Sequence, residues 1–226
     1  MTIASFERLM ALLQVSDSTF PSGSFAFSNG LETLVSEKRI KSANDLEDVI
    51  ERHIVPRWLE FDRWFLFHAH SSSQYEDEIV RLDRFYTANM VTDTLARASL
   101  RVGNAMLSMH QRLGTPGATE LRSLIKQDRA TGHATVVQGV LLAGFGLNRE
   151  ETQTSSLYAA LSASVSAAVR LGAIGALEGQ RILLRALKSG AVGLEKPLPE
   201  HPYTSRPLID IAVMRHVGNP TRLFAA

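Results

Sequence analysis

The chain has 226 residues, a formal net charge of +1 and no cysteine. This length fits one domain, or at most two, and 45% hydrophobic with 21% charged residues is typical of a globular protein. The lack of cysteine excludes disulfides, thiol nucleophiles and thiolate-bound metals. The near-zero net charge gives no sign of a nucleic-acid-binding protein.

No targeting or membrane-spanning segment is expected from the hydropathy pattern. Glu7 and Arg8 interrupt the first apolar run, which is therefore unlike the apolar region of a secretory signal. The longest uncharged run, 130–148, contains four glycines and several polar residues, which disfavours a membrane span. The sequence therefore predicts a soluble, cytoplasmic protein.

Apolar residues recur at the spacing of α-helices through most of the chain. Phe6, Leu9, Met10 and Leu13 predict the first helix, and glycine and proline clusters mark the loops. The pattern predicts an all-α fold, a single helical domain of about ten helices. The clearest predicted helices span 3–15, 25–38, 118–130, 133–145, 149–171 and 174–190, with long helical stretches between residues 44 and 107.

Several residues have the chemistry of helix boundaries. Asn44 is the predicted N-cap of the next helix, with Glu47 as its partner in a capping box. Pro56 should kink or split that helix, because proline lacks the backbone N–H. Asn148 should cap the helix 149–171, and Gly172 matches the position after a helix end that favours glycine.

The last thirty residues differ from the rest of the chain in their high proline content. Half of the eight prolines lie within 11 residues there, which predicts an extended linker. We therefore divide the chain into a helical domain, 1–196, and a Pro-rich linker with a C-terminal tail, 197–226. The tail would dock on a partner and lie outside the core, so that deleting 222–226 should leave folding nearly unchanged.

Small side chains dominate the stretch from residue 159 to residue 180, which contains 7 Ala, 3 Ser and 3 Gly. Such residues let helix backbones approach closely. The sequence leaves two interpretations open, tight packing inside the core and packing across a symmetric dimer interface.

No catalytic constellation is visible in the sequence. There is no Gly-Lys phosphate loop, no G-x-S-x-G nucleophile elbow and no His-Glu-x-x-His zinc motif. His68 and His70 would diverge on a helix, so no metal site or cofactor is predicted. Arg170 has two interpretations, a cation at a helix C-terminus or a guanidinium that binds a carboxylate or phosphate.

Four sequence blocks, in order along the chain, resemble the urease accessory protein F family. Residues 20–32 read FPSGSFAFSNGLE, which is similar to the family's P-x-G-x-F-x-x-S-x-G-L-E opening. Gly-His at 132–133, with Gly139 and Gly146, resembles its central helix. The other two blocks are SAAVRLG at 166–172, followed by Gly175 and the Gly-Gln pair at 179–180, and DIA at 210–212, followed by Met214, His216 and RLF at 222–224.

The resemblance implies an all-helical, dimeric and non-enzymatic chaperone of urease maturation. Its implied partners are accessory protein D (called H in some organisms), the GTPase accessory protein G and apo-urease. The assembly would support GTP-dependent nickel insertion, and the protein would regulate or recruit the GTPase. No cofactor, membrane or nucleic acid is implied.

Roles for individual residues follow from the resemblance at matching positions. Partner binding is implied for a central surface and for the tail, at Arg170, Gln180, His216, Arg222, Leu223 and Phe224. A mainly structural role is implied for Pro21, Gly23, Gly30, Glu32 and Gly172. The family usually has glutamate after the tail histidine, whereas valine follows His216 here.

Two other functions remain open at the level of sequence. One is a carrier that binds nickel itself through histidines such as His68 and His70. The other is a GTPase-activating protein that acts through Arg170 as an arginine finger.

Overall fold

The computed structural model describes residues 3–17, 20–216, 218 and 223–225. Within these residues there is no strand, only an isolated parallel bridge between Phe27 and Ala225. The all-α prediction is therefore confirmed. The helices are α1 Ile3–Ser16, α2 Leu31–Ser36, α3 Ala43–Val49, α4 Val55–Arg57, α5 Arg63–Ser71, α6 Glu76–Ala88, α7 Asp93–Arg112, α8 Ala118–Lys126, α9 Ala134–Gly144, α10 Arg149–Arg170, α11 Ala176–Leu194 and α12 Pro207–His216.

The chain forms two compact units, each discontinuous in sequence. The first contains Met1–Gly23, Arg63–Met90 and Ser99–Ser156, and the second contains Ser24–Asp62, Val91–Ala98 and Leu157–Ala226. The domain boundary predicted at residue 196 stays a prediction, and the two units divide the chain at other positions. Residues 197–226 belong to the second unit together with α2, α3 and α11.

The core of the first unit is the packing of α5 against α9, with α6 and α8 beside them. Phe65 on α5 is fully buried and meets the Tyr86 ring edge-on, with centroids 4.9 Å apart. Gly139 allows α9 to approach α5 closely, because a Cβ there would lie only 2.8 Å from the Leu66 carbonyl oxygen. This contact explains one glycine of the central sequence block.

A buried carboxylate fixes the loop before α9. Asp83 accepts hydrogen bonds from the backbone N–H groups of Thr131, Gly132 and His133, at 2.5, 3.2 and 2.8 Å. The Thr131 hydroxyl also donates to this carboxylate, at 2.7 Å. Charge-assisted hydrogen bonds of this kind compensate for burying the charge. The Gly-His pair of the sequence is therefore part of a rigid loop.

His110 lies in the interior of the first unit and is only 1% exposed. Its Nδ1 is 3.0 Å from the Thr115 hydroxyl, and its ring packs between Phe20 and Phe145. Burial lowers the pKa of His110 to about 4. The histidine is therefore neutral at physiological pH.

This buried histidine predicts a loss of stability in mild acid. Because the pKa is lower in the folded protein than the usual 6.5, the unfolded chain takes up the proton first as the pH falls. The contribution of His110 to the free energy of unfolding is fully present above about pH 6.5. It is lost as the pH falls towards 4, which lowers the free energy of unfolding by up to about 3 kcal/mol. Urea unfolding at several pH values measures the slope of the free energy of unfolding against pH, and His110→Gln should reduce that slope. An unchanged slope in His110→Gln, or an equal reduction in the exposed control His201→Gln, would contradict the assignment.

In the second unit, α11 packs against the helical stretch from α3 to residue 62. The Arg185 guanidinium pairs with the Glu47 carboxylate, and the Ser189 hydroxyl donates to Glu51 at 2.6 Å. Gly179 of α11 lies against α10, since a Cβ there would be 2.9 Å from Val165 Cγ1. The small-residue stretch therefore provides close packing within this unit, in agreement with the core interpretation.

The structure confirms one predicted N-cap and corrects another. Asn148 and Glu151 form a reciprocal capping box, with N–H to side-chain oxygen distances of 2.7 and 2.9 Å. The cap predicted at Asn44 is wrong: Ser42 caps α3 by accepting from the Asp45 N–H at 3.3 Å. Because serine caps as well as asparagine does, the sequence alone does not separate two candidates two residues apart.

Two other helix boundaries follow from backbone chemistry. Around Pro56 the helical path is continuous from Ala43 to Ser71, but π-helical turns at Ile50–Ile54 and Trp58–Asp62 interrupt the α-helical pattern on both sides of the proline. Such turns occur where the regular ladder of backbone hydrogen bonds is disturbed. The helix predicted at 25–38 begins instead at Leu31, after Gly30 with a φ of +90°. Gly172 has a φ of +69° at the end of α10, as predicted.

Candidate functional site

The C-terminal part of the chain packs on the second unit through α12. Ile209, Ala212 and Val213 are buried, and α12 lies against α2. Gly30 permits this approach, since a Cβ there would lie 3.2 Å from Val213. Part of the predicted C-terminal tail is thus a helix whose apolar face is buried, whereas the sequence predicted that the tail lies outside the core.

The proline-rich linker is extended but held in place. The Tyr203 N–H donates to the Glu60 carbonyl oxygen at 3.0 Å, and the Arg206 guanidinium pairs with the Glu60 carboxylate. The same guanidinium lies 5.5 Å from the centre of the Tyr203 ring. These contacts attach the end of the linker to Glu60, and α12 follows it directly.

The tail residues 223–225 lie in a site formed by the second unit. Phe224 is only 4% exposed, and the Ala225 N–H donates to the Ala26 carbonyl oxygen at 2.7 Å. The Arg170 guanidinium covers the Phe224 ring at 4.3 Å and donates to the Phe25 carbonyl oxygen at 2.5 Å. The prediction that the tail lies outside the core is therefore wrong for Phe224, whose ring is buried within its own chain.

Glu32 holds the backbone of this tail. One carboxylate oxygen accepts from the Leu223 N–H at 2.6 Å, and the other accepts from the Phe224 N–H at 3.2 Å. The glutamate side chain is buried, and both hydrogen bonds to its carboxylate are charge-assisted. Glu32, predicted to be mainly structural, connects the first sequence block, 20–32, to the last one through the backbone of Leu223 and Phe224.

His216 completes the contact from the end of α12. Its side chain is buried, its Nε2 lies 3.3 Å from the Phe224 carbonyl oxygen, and its Nδ1 lies 3.6 Å from Glu32. Phe224 is held by Glu32, Arg170, His216 and the segment 25–27, which together form the tail site.

The structure brings together most of the predicted partner-binding residues and separates their roles. Leu223 is 55% exposed beside the buried Phe224, so only the leucine presents its side chain to solvent. Arg222 lies outside the described residues. Gln180 is an exposed residue of α11 and does not belong to the tail site.

Sequence reasoning missed the segment 25–27 as part of the site. Its signal is the phenylalanine pair Phe25 and Phe27, of which the first is exposed and the second buried. Nearby in sequence, Gly23 has a φ of +74°. No atom beyond its two chain neighbours lies within 4 Å of where a Cβ would be, so its backbone conformation is what requires glycine. Pro21 is exposed in the same loop.

The histidine pair considered for nickel is engaged elsewhere. The His68 ring packs on Trp64 with centroids 4.2 Å apart, and burial lowers the pKa of His68. His70 Nε2 lies 2.8 Å from the Leu147 carbonyl oxygen. In the part of the chain that the structure describes, no three His, Asp or Glu side chains are grouped as a metal site would require.

Among the described helices, none combines the length and apolar character needed to cross a lipid bilayer.

The chain is all-helical, and it buries Phe224 of its own tail while the neighbouring Leu223 stays exposed. The sequence model of the UreF family matches residues 40–187, more than half of the chain. The chain belongs to the UreF family, as the four sequence blocks indicate.

Curated relatives match over nearly the whole chain. The urease accessory protein UreF of Bacillus sp. (strain TB-90) is 30% identical over 223 residues, which cover 96% of this chain and 98% of the relative. The UreF proteins of Actinobacillus pleuropneumoniae serotype 5b (strain L20) and Arthrobacter sp. (strain FB24) are each 27% identical, covering 96% and 95% of this chain and 98% and 96% of theirs.

Proposed function

We propose that this chain is a non-catalytic, cytoplasmic adaptor in urease maturation. It binds accessory protein D (or H) and the GTPase accessory protein G, and the assembly inserts nickel into apo-urease in a GTP-dependent way. Family membership supports the accessory role. The observation that carries the docking proposal is the tail, which is anchored by a buried Phe224 and displays an exposed Leu223.

Two adjacent tail residues have different exposure: Phe224 is buried in its own chain, and Leu223 is exposed to solvent. When a partner covers an apolar side chain whose backbone is already ordered, binding has to restrict only the side-chain rotamers and not the backbone. Leu223 meets this condition, because its own N–H and the N–H of Phe224 both donate to the Glu32 carboxylate. We therefore assign contact with accessory protein D to Leu223 and anchoring to Phe224.

Leu223→Ala is expected to weaken capture of accessory protein D by about tenfold while leaving the thermal midpoint within about 2 °C. The leucine is exposed in the free protein, so removing it creates no cavity there, whereas burial against a partner contributes about 1.5–3 kcal/mol. Titration of accessory protein D by calorimetry measures the affinity. Leu177→Ala, an exposed leucine on α11, serves as the matched control. Equal affinity of the Leu223 variant and the parent protein would refute the docking proposal.

The proposed adaptor also acts as a homodimer, and Arg170 and Gln180 belong to its central partner surface. The Arg170 guanidinium is already engaged by the Phe25 carbonyl and the Phe224 ring, which supports a role in shaping that surface over a role as a catalytic finger. Light scattering of the protein alone and with accessory protein D tests the dimer. A monomer in both conditions would exclude it.

A further inference from the structure

Glu32 places a buried carboxylate under the backbone of the tail, although the side chain displayed for docking is that of Leu223. A buried carboxylate is costly unless hydrogen bonds or a cation compensate for the lost water. Here most of the compensation comes from the backbone of the tail, whose two consecutive N–H groups bind the two carboxylate oxygens. Recognition through N–H groups fixes the path of the backbone and leaves the side chain of Leu223 free.

The tail site contacts Phe224 on every polar and apolar group that the residue has. Its N–H is bound by Glu32, its carbonyl oxygen lies beside His216, and its ring is covered by the Arg170 guanidinium. Three different parts of the unit therefore converge on one residue: α2, the end of α10 and the end of α12. Such convergence is what positions a neighbouring side chain accurately.

We propose that Glu32 is a positioning residue for docking: it holds the tail closed, and the closed tail is the form that the partner binds. This inference rests on the proposed function. When only a fraction of molecules has the competent conformation, the apparent dissociation constant rises by the inverse of that fraction. Loosening the tail should therefore weaken partner binding even though Glu32 itself is buried and does not reach the partner.

The first experiment measures tail closure without any partner. Glu32→Gln removes the charge and offers only one acceptor oxygen, so one of the two N–H groups loses its bond. Hydrogen exchange at the amides of Leu223 and Phe224 should become about tenfold faster. Unchanged exchange at both amides would overturn the assignment. If Glu32→Gln does not fold, Arg170→Leu removes the cover of the ring from an exposed position and should accelerate the same two amides.

The second experiment measures affinity for accessory protein D in the full-length protein. Glu32→Gln should weaken binding about fivefold or more. Asp83→Asn is the matched control, because Asp83 is also a buried carboxylate that binds consecutive backbone N–H groups, in the first unit. It should lower the thermal midpoint while leaving tail exchange and affinity unchanged.

The outcomes separate this inference from the proposed function. Tighter binding by Glu32→Gln would overturn the inference, because it would show that the closed tail competes with the partner. Equal weakening by Asp83→Asn would overturn it as well, because general destabilisation would then explain the loss. If Leu223→Ala has no effect on affinity, the docking proposal fails, while the exchange experiment still decides whether Glu32 holds the tail.

Discussion

Phe224→Ala is expected to lower the free energy of unfolding by about 2–4 kcal/mol, and the thermal midpoint by about 5–10 °C. The ring is 4% exposed and lies under the Arg170 guanidinium, so its removal leaves a cavity and an uncovered cation. The lower part of the range for a buried phenylalanine applies, because a tail can partly rearrange. Differential scanning calorimetry of the variant and the parent protein measures the effect.

The exposed neighbour provides the control for this prediction. Leu223→Ala changes the adjacent residue by a similar truncation and should leave the midpoint almost unchanged. Deletion of residues 222–226 should resemble Phe224→Ala and exceed it slightly, because Glu32 then loses both of its backbone donors. A deletion variant with the midpoint of the parent protein would show that the tail adds no stability, as the sequence pattern suggests.

Gly103→Ala is expected to destabilise the first unit by about 3 kcal/mol. A Cβ at this position of α7 would lie 2.1 Å from the Gly132 carbonyl oxygen and 2.8 Å from the Ala134 nitrogen. Both are backbone atoms, and the loop cannot move aside because Asp83 binds the N–H groups of residues 131–133. Chemical denaturation by urea measures the loss.

Gly175→Ala is the matched control for the glycine prediction. No atom beyond the two neighbouring residues lies within 4 Å of the corresponding Cβ, and the backbone there is in the extended region. Its cost should stay below about 1 kcal/mol, from the weaker preference for alanine at an N-cap. If the two alanine variants lose the same stability, close approach of the α7 backbone to the loop is not what requires Gly103.

Helix content and family membership both follow from the sequence alone. The 3.6-residue periodicity depends on neighbours along the chain, and so do the cap at Asn148 and the glycine at position 172. Such local chemistry survives without knowledge of distant contacts. The error at Asn44 has the same origin, since Ser42 and Asn44 offer equivalent local chemistry.

The burial of Phe224 does not follow from the residues near it in the sequence. Four prolines and a short apolar end predict a detached segment, because nothing nearby in sequence offers a surface to cover. The surface that covers Phe224 comes from residues about 190 positions earlier, at Glu32, and from Arg170 on another helix. No spacing rule links residues so far apart, so the sequence-based prediction misplaced Phe224.

By itself the sequence determined the all-α class, the approximate ends of several helices, such as α1, α9 and α10, and the family. Each depends on side-chain periodicity, on cap chemistry or on short motifs that are complete within a few residues. Only the tertiary structure decided that Glu32 binds the tail backbone, that Phe224 is buried and that Leu223 is displayed. The physical reason is that a buried carboxylate is stable only where its hydrogen-bond donors converge, and that convergence is a property of the packed chain.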